Sequence, residues 1–227
     1  MLLDLFSSPL ALLAFLLAII IGLTVHEFAH AWMATRLGDF TAKYAGRLSL
    51  NPARHFDPTG TLFLLFVGFG WGKPVPVNPN ALKNRYDELK VSIAGPTANF
   101  LLALILSIPL LIADQYGFDA YNTYPLTIIG IIVQVNLLLA AFNILPIYPL
   151  DGSKILSAIA PESMRDAVDR LEKSGPILLL TIIFVEYFLR IPILVPLITW
   201  IERILSFVIS TLLYPLDIAL KYLSSLL

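Results

Sequence analysis

The chain contains no cysteine, and charged residues make up only 14% of its 227 residues. The absence of cysteine excludes disulfide bonds and thiolate ligands, so a metal site here must use histidine and carboxylate side chains. Soluble domains average about 25% charged residues. The low charge, with 58% hydrophobic residues and a mean hydropathy of +0.82, therefore indicates an integral membrane protein.

The chain also lacks an excess of charge of either sign, since its formal net charge is −1. A protein that binds nucleic acid usually presents a strongly basic surface, which this composition does not supply. We therefore expect the protein to contact the lipid bilayer and not nucleic acid.

Against this apolar background, residues 26–30 read H-E-x-x-H. His26 and His30 are four residues apart, so in a helix both imidazoles lie on one face and can bind one metal ion. Glu27 lies about 100° further round the helix, close enough to act on a metal-bound water. The pattern also occurs by chance in soluble helices, but here it follows the apolar run 10–25. Because an ionisable side chain within a bilayer costs on the order of 2.5 kcal/mol, three in five positions favour a functional site.

The apolar runs predict an all-α polytopic membrane protein with about five spanning helices, because about 20 residues cross the hydrocarbon core. The predicted spans are 9–36, 91–113, 125–146, 176–198 and 199–223. The first run has no basic segment before it and leads into the motif, so we interpret it as retained and not as a cleaved signal peptide. We expect a single domain, 1–227, with a catalytic core of about 9–160 and C-terminal helices within 176–223.

Three other segments are not predicted to span the membrane. Residues 61–70 are apolar but too short, which favours a re-entrant or interfacial position. Residues 41–50 show a weak alternating pattern that predicts a strand or hairpin, and hence a small membrane-associated β region. The proline-rich stretch 71–79 is expected to form an extended loop.

Asp151 follows two helix-breaking prolines, Pro146 and Pro149, and precedes Gly152, where the chain can turn into a new helix. By itself Asp151 fits the role of a helix cap, and a metal ligand is the alternative. We interpret His55 and Asp57 as a solvated turn pair, with metal ligation as the alternative.

Asn99 is a buried amide within a predicted span, and both packing and a role near the site fit it. Its neighbours Gly95 and Ala98 are interpreted as helix-packing residues, since small side chains let helices approach closely. Glu186 and Arg190 are four residues apart, which predicts a buried structural ion pair.

Basic residues are distributed unevenly along the chain. Residues 36–90 contain eight Lys or Arg and residues 146–175 contain four, whereas 114–124 contain none. By the positive-inside rule the first two regions are cytoplasmic and the third is outside. The rule therefore places the motif end of the first span and Asp151 on the cytoplasmic side.

Two motifs together resemble the site-2 protease family of intramembrane metalloproteases. They are His-Glu-Phe-Ala-His at 26–30 and Asn143-x-x-Pro146-x-x-x-x-Asp151-Gly152. The stretches 46–52, 72–75 and 94–99 are similar to the small bacterial and archaeal members. The resemblance covers about residues 15–155. It implies a zinc-dependent endopeptidase that cleaves transmembrane segments of proteins in the cell membrane of a prokaryote.

The resemblance also implies roles for the matched residues. His26, His30 and Asp151 would bind one zinc ion, with water as the fourth ligand. Glu27 would be the general base and later the acid that protonates the leaving amine, and Asn143 matches a position linked to substrate or oxyanion binding. Many relatives carry a PDZ or CBS domain, and we expect neither here.

A transmembrane substrate is helical and must unwind before its peptide bond can react. We expect the stretch from Tyr44 to Leu50, which matches the β region of the family, to offer a strand edge that pairs with the unwound peptide.

Two other classes of function fit parts of this pattern. Intramembrane His and Asp also line ion pathways, so a metal transporter or channel is one alternative. A non-catalytic protein that binds membrane helices is the other. Glu27 has no purpose in either alternative, and its presence between the histidines favours the protease.

Overall fold

The computed structural model describes residues 8–67, 70–84, 86–118 and 123–225. This part of the chain is mostly helical, which confirms the predicted class. Its α-helices are α1 (Pro9–Arg36), α2 (Thr41–Tyr44), α3 (Pro58–Val67), α4 (Asp87–Gln115), α5 (Tyr124–Asn143), α6 (Asp151–Ile159), α7 (Arg165–Phe188) and α8 (Leu194–Ser224). Short 3-10 turns lie at Pro52–Arg54, Pro79–Ala81 and Glu162–Met164.

Four of these helices, α1, α4, α5 and α8, are long and apolar enough to cross a membrane. The protein is therefore a multi-pass membrane protein, but the described residues provide four candidate spans and not five. The predicted span 176–198 is replaced by α7, which ends at Phe188 before two prolines. The uncharged part of α7 between Lys173 and Glu186 is about 12 residues and so about 18 Å long, well short of the bilayer core of about 30 Å.

The core consists of α1, α4 and α5, which pack against one another. Small residues form their contacts: Ala18 on α1, Ala103 on α4 and Ala140 on α5 are fully buried. Because small residues let helix backbones approach closely, the three helices form one tight unit. This unit brings the end of α1, the start of α4 and the end of α5 together, and the functional site lies there.

The predicted β region is not seen among the described residues. Residues 41–44 form the helical turn α2, and 45–50 form turns and loop without a strand. The backbone is satisfied locally, because the Tyr44 and Ala45 N–H groups donate to the carbonyl oxygens of Phe40 and Thr41. The described part of the chain contains one isolated antiparallel bridge, between Phe56 and Gly72.

The apolar segment 61–70 was predicted to be too short to span the membrane. The helix α3, which covers most of it, has 10 residues and is indeed too short to span. Residues 68 and 69, at the end of the predicted segment, lie outside the described residues.

Glu186 does not form the predicted ion pair with Arg190. Its carboxylate instead accepts hydrogen bonds from the backbone N–H groups of Ile193, Leu194 and Val195, at 3.0 to 3.1 Å. These groups begin α8 and have no partner within the helix, so a carboxylate that binds them stabilises the helix start. Glu186 therefore ties the end of α7 to the beginning of α8.

Candidate metal centre

His26 and His30 lie one turn apart on the buried face of α1, near its C-terminal end. Their Nε2 atoms are 3.0 Å apart. His30 Nδ1 lies 2.7 Å from the carbonyl oxygen of Val91 on α4. Because a carbonyl oxygen only accepts, His30 Nδ1 carries the proton and Nε2 keeps its lone pair.

Asn99 fixes the second imidazole through a network that crosses three helices. Its amide nitrogen donates to the carbonyl oxygen of Gly22 on α1 at 2.9 Å and to Oδ1 of Asn136 on α5 at 2.8 Å. Both amide hydrogens are then used, so its Oδ1 accepts from His26 Nδ1–H at 2.7 Å. Asn136 in turn donates to the carbonyl oxygen of Ile132. His26 Nε2 therefore also faces the site without a proton.

Asp151 reaches the same point from the first turn of α6. Its Oδ2 lies 3.1 Å from Nε2 of His26 and 3.2 Å from Nε2 of His30. The side chain does not cap its own helix, which has no side-chain cap hydrogen bond. Gly152 permits the approach of α6, since a Cβ atom there would overlap the backbone carbonyls of the preceding loop 144–145.

Two nitrogen lone pairs and a carboxylate oxygen thus converge within about 3 Å of one another, inside the protein. The Asp151 Oδ2 atom is buried and has no hydrogen-bond partner. A cation between the three atoms would satisfy all of them, and two imidazoles with one carboxylate are ligands that zinc prefers. A tetrahedral zinc ion with ligand distances of about 2.0 Å separates its ligands by about 3.3 Å. The observed spacing of 3.0 to 3.2 Å fits this geometry.

Gly95 on α4 leaves the space in which the imidazoles meet. A Cβ atom at this position would lie 2.6 Å from Cε1 and 2.7 Å from Nε2 of His26, and closer still to Nε2 of His30. The helix-packing interpretation of Gly95 therefore missed its main effect, which is to leave space beside the Nε2 atoms of His26 and His30. A glycine that allows close helix packing and a glycine that leaves space for side chains look the same in an apolar sequence. The sequence therefore offered no signal that distinguishes these two roles.

The cluster lies in a cavity of about 400 Å³. Glu27 is buried and lines this cavity, and it makes no hydrogen bond within the described part of the chain. Asn143 also lines it, at the end of α5, and donates one amide hydrogen to the carbonyl oxygen of Leu139. Lys154 is the one lysine or arginine among the described lining residues, and the sequence patterns did not single it out.

Part of the stretch 72–78 forms one wall of this cavity. Lys73 N–H donates to the carbonyl oxygen of His55 at 2.8 Å. The buried Arg47 guanidinium donates to the carbonyl oxygens of Lys73 and Pro74, the latter at 3.2 Å. Arg47 belongs to the segment 41–50, which was expected to form a strand. Its hydrogen bonds instead hold Lys73 and Pro74 of the predicted extended loop in place.

Asp39 holds the other end of the same stretch. Its carboxylate accepts from Asn78 N–H at 2.7 Å and from Thr41 N–H at 3.0 Å, and its side chain is fully buried. Burial opposes ionisation, but the hydrogen bonds from Thr41 and Asn78 outweigh it, so the pKa of the Asp39 carboxyl lies below its ordinary value.

His55 and Asp57 lie apart from the cluster of His26, His30 and Asp151. His55 is fully buried, and its Nε2–H donates to the carbonyl oxygen of Ser49 at 2.6 Å, so the expectation of a solvated side chain was wrong. Asp57 accepts from Gly60 N–H at 2.8 Å at the start of α3. Both residues therefore organise turns.

The sequence matches the description "Peptidase family M50" over residues 14–124 and 106–185. The chain belongs to this family, the site-2 proteases. As an M50 protein it is an intramembrane zinc-dependent endopeptidase, which agrees with its four apolar helices and its His-His-Asp cluster.

Relatives of this M50 protein occur in bacteria and archaea. It is 42% identical to YwhC of Bacillus subtilis over 179 residues, which are 77% of this chain and 82% of that protein. It is 33% identical to Rip2 of Mycobacterium tuberculosis over 153 residues, 64% of this chain and 57% of Rip2. For MJ0611 of Methanocaldococcus jannaschii the identity is 32% over 164 residues, 66% of this chain and 75% of that protein. The names of all three contain the words zinc metalloprotease, and no solved structure matches the chain.

Proposed function

We propose that His26, His30 and Asp151 hold the single catalytic zinc ion and that Glu27 is the general base of peptide hydrolysis. The observation that carries this assignment is the convergence of three unprotonated ligand atoms beside a buried carboxylate that lacks a hydrogen bond. Zinc in such a site polarises a carbonyl group and lowers the pKa of water to about 7.

Glu27 accounts for the proton transfers of the reaction. The water oxygen bonds to the scissile carbonyl carbon while Glu27 takes one proton from the water. The carbon–nitrogen bond then breaks, and Glu27 passes that proton to the leaving amine. The buried position of Glu27 in the cavity wall, without a competing hydrogen bond in the described chain, leaves its oxygens free for this role.

Asn143 is proposed to bind the developing oxyanion or the substrate backbone. One of its amide hydrogens is donated to the carbonyl oxygen of Leu139, and the second has no partner among the described residues and can donate into the cavity.

We propose that the substrates are transmembrane segments of membrane proteins in a prokaryotic cell membrane, and that cleavage takes place towards the cytoplasmic side. The apolar spans and the basic segments around the cavity end of α1 support this orientation.

The stretch 72–78 takes over the substrate-pairing role expected for Tyr44 to Leu50. Val75 and Val77 line the cavity, and their N–H groups have no partner among the described residues. Leu48 and its neighbours instead lie outside the described cavity lining. An unpaired backbone edge can hold an unwound peptide without requiring a particular sequence, which suits varied apolar substrates.

The decisive experiment compares wild type with Glu27→Gln. Purified wild type should contain about one zinc ion and cleave a single-span membrane protein in proteoliposomes. The Glu27→Gln variant should keep its zinc and lose activity by at least about 100-fold. Metal transport by the variant, or cleavage at the wild-type rate, would contradict the assignment of Glu27. As a check on the ligands, Asp151→Ala should lose zinc, whereas His55→Ala should retain it.

A further inference from the structure

A second cavity of about 500 Å³ adjoins the metal cavity and continues between α1, α3, α5 and α8. The two cavities share six lining residues: Leu23, Gly70, Trp71, Gly72, Leu139 and Phe142. Most of the remaining lining is apolar. The second cavity, the lateral groove, therefore adjoins the reaction site and extends from it between apolar helices.

Four polar side chains lie in the wall of the lateral groove: Thr61, Gln134, Thr199 and Glu202. The two threonine hydroxyls donate to backbone carbonyl oxygens four residues earlier, whereas Gln134 and Glu202 lie on the packed helices α5 and α8. Gln134 is exposed in the middle of α5, and its amide has no hydrogen-bond partner in the part of the chain that the structure describes. Glu202 on α8 accepts one hydrogen bond, from Ser206 at 2.9 Å. Because a polar group without a partner is costly inside a bilayer, such residues usually mark a functional contact.

The position of this pair along the membrane normal can be compared with that of the reaction site. Gln134 precedes Asn143 by about nine residues on the same helix, which corresponds to about 13 Å. Asn143 lines the metal cavity. A substrate segment that stays helical alongside α5 would thus meet Gln134 about nine residues before the residue that lies level with Asn143.

We propose that Gln134 and Glu202 recognise an asparagine or glutamine side chain in the substrate helix, about nine residues from the scissile bond. An amide donates to the Glu202 carboxylate and exchanges hydrogen bonds with the Gln134 amide, so it complements both groups. A lipid chain in the groove offers no such bonds. The proposal rests on the proposed function, since the occupant is a substrate of the same reaction site.

The test uses a series of single-span substrates with a leucine-rich helix and one fixed cleavage site, reconstituted with purified enzyme. One asparagine replaces leucine at successive positions on the far side of the cleavage site. The readout is the ratio of kcat/KM for each asparagine substrate to that of the all-leucine substrate. Wild type should show a maximum of about three-fold to ten-fold at about nine residues.

Gln134→Leu and Glu202→Leu should each reduce this maximum to a ratio near one. Ser107→Ala is the matched control, because Ser107 is a polar residue of a span that lies outside the lateral groove, and it should retain the maximum. A flat profile in wild type, or an unchanged maximum in both leucine variants, would overturn the proposal. A maximum for lysine and none for asparagine would also overturn it, because it would show recognition of charge.

Cleavage of the all-leucine substrate by wild type but not by Glu27→Gln tests the proposed function separately. If that difference is absent, the reaction assignment fails. If it is present and the profile is flat, only the recognition site fails.

Discussion

At the scale of single residues, the proposed metal centre depends on groups that are not themselves among the proposed ligands. Asn99 and the Val91 carbonyl set the tautomers of His26 and His30, and Gly95 leaves room for their nitrogen atoms. The H-E-x-x-H spacing predicted the shared face of α1. The partners of the imidazoles come from α4, and their identity could be known only after the helices were packed.

Asn99→Ala should weaken zinc binding by about 10-fold to 100-fold, the usual effect of removing a hydrogen bond to a metal-ligating histidine. The reason is that His26 Nδ1–H loses its acceptor and the ring is free to rotate. Competition with a fluorescent zinc chelator measures the affinity. Asn136→Ala, which leaves the His26 bond in place and removes only the support of Asn99, should have a smaller effect. An equal effect of both changes would assign the loss to helix packing.

Gly95→Ala should lower zinc content and cleavage together, because the added Cβ would lie within 2.7 Å of His26 Nε2. We expect at least about a ten-fold loss of zinc affinity, comparable to overpacking that costs 1 to 3 kcal/mol. Gly130→Ala is the matched control, since a Cβ atom there meets nothing within 4 Å. Full zinc content in Gly95→Ala would show that α4 moves away without cost.

At the scale of elements, the chain presents an extended segment in the wall of the cavity that holds His26 and His30. This segment is not the one for which the alternating pattern predicted a strand. Residues 41–44 are helical, and the segment with unpaired N–H groups is the proline-rich stretch 72–78. Proline fixes φ and favours an extended conformation in the residue before it, which explains why this stretch stays open. The weak alternation of apolar residues in 41–50 does not produce a strand, because no neighbouring strand among the described residues pairs with this segment.

Val77→Pro should slow cleavage while zinc remains bound, since it removes a backbone donor from the cavity wall. Val77→Ala keeps that donor and should cost less. Zinc analysis and cleavage rates on the same preparations provide the comparison. If the two variants are equally active, backbone pairing with this stretch is not part of substrate binding.

Asp39→Asn should destabilise the folded protein at neutral pH, because an amide nitrogen would replace one oxygen that accepts from the backbone. The pKa of Asp39 is below its ordinary value of about 3.9, so its stabilisation is present above about pH 4 and is lost as the pH falls through the lower pKa of the folded protein. Thermal unfolding in detergent should show a Tm about 2 to 4 °C below wild type at pH 6 to 8. That difference should shrink below about pH 4, and a pH-independent difference would contradict the role of the carboxylate charge.

At the scale of the whole molecule, the four candidate spans place the loop before α4 and the loop after α4 on opposite sides of the membrane. Because the chain has no cysteine, single introduced cysteines can be labelled without background. Lys83→Cys and Arg170→Cys should react with a membrane-impermeant maleimide from the cytoplasmic side, and Phe118→Cys from the outside. Reaction of Lys83→Cys from the outside would reverse the orientation and the proposed side of cleavage.

Composition and the two motifs are local properties of the chain, and they were sufficient to predict the membrane class and the family. The sequence also indicated the set His26, Glu27, His30 and Asp151, since the i, i+4 spacing places both histidines on one helix face and the second motif of the family contains Asp151. The packing of the helices, in contrast, showed that Asp151 reaches the histidines and does not cap its helix, and that Asn99 holds His26. Each of these depends on contacts between residues far apart in sequence, such as Asn99 with Gly22 and Asn136, and pattern within one segment carries no information about them.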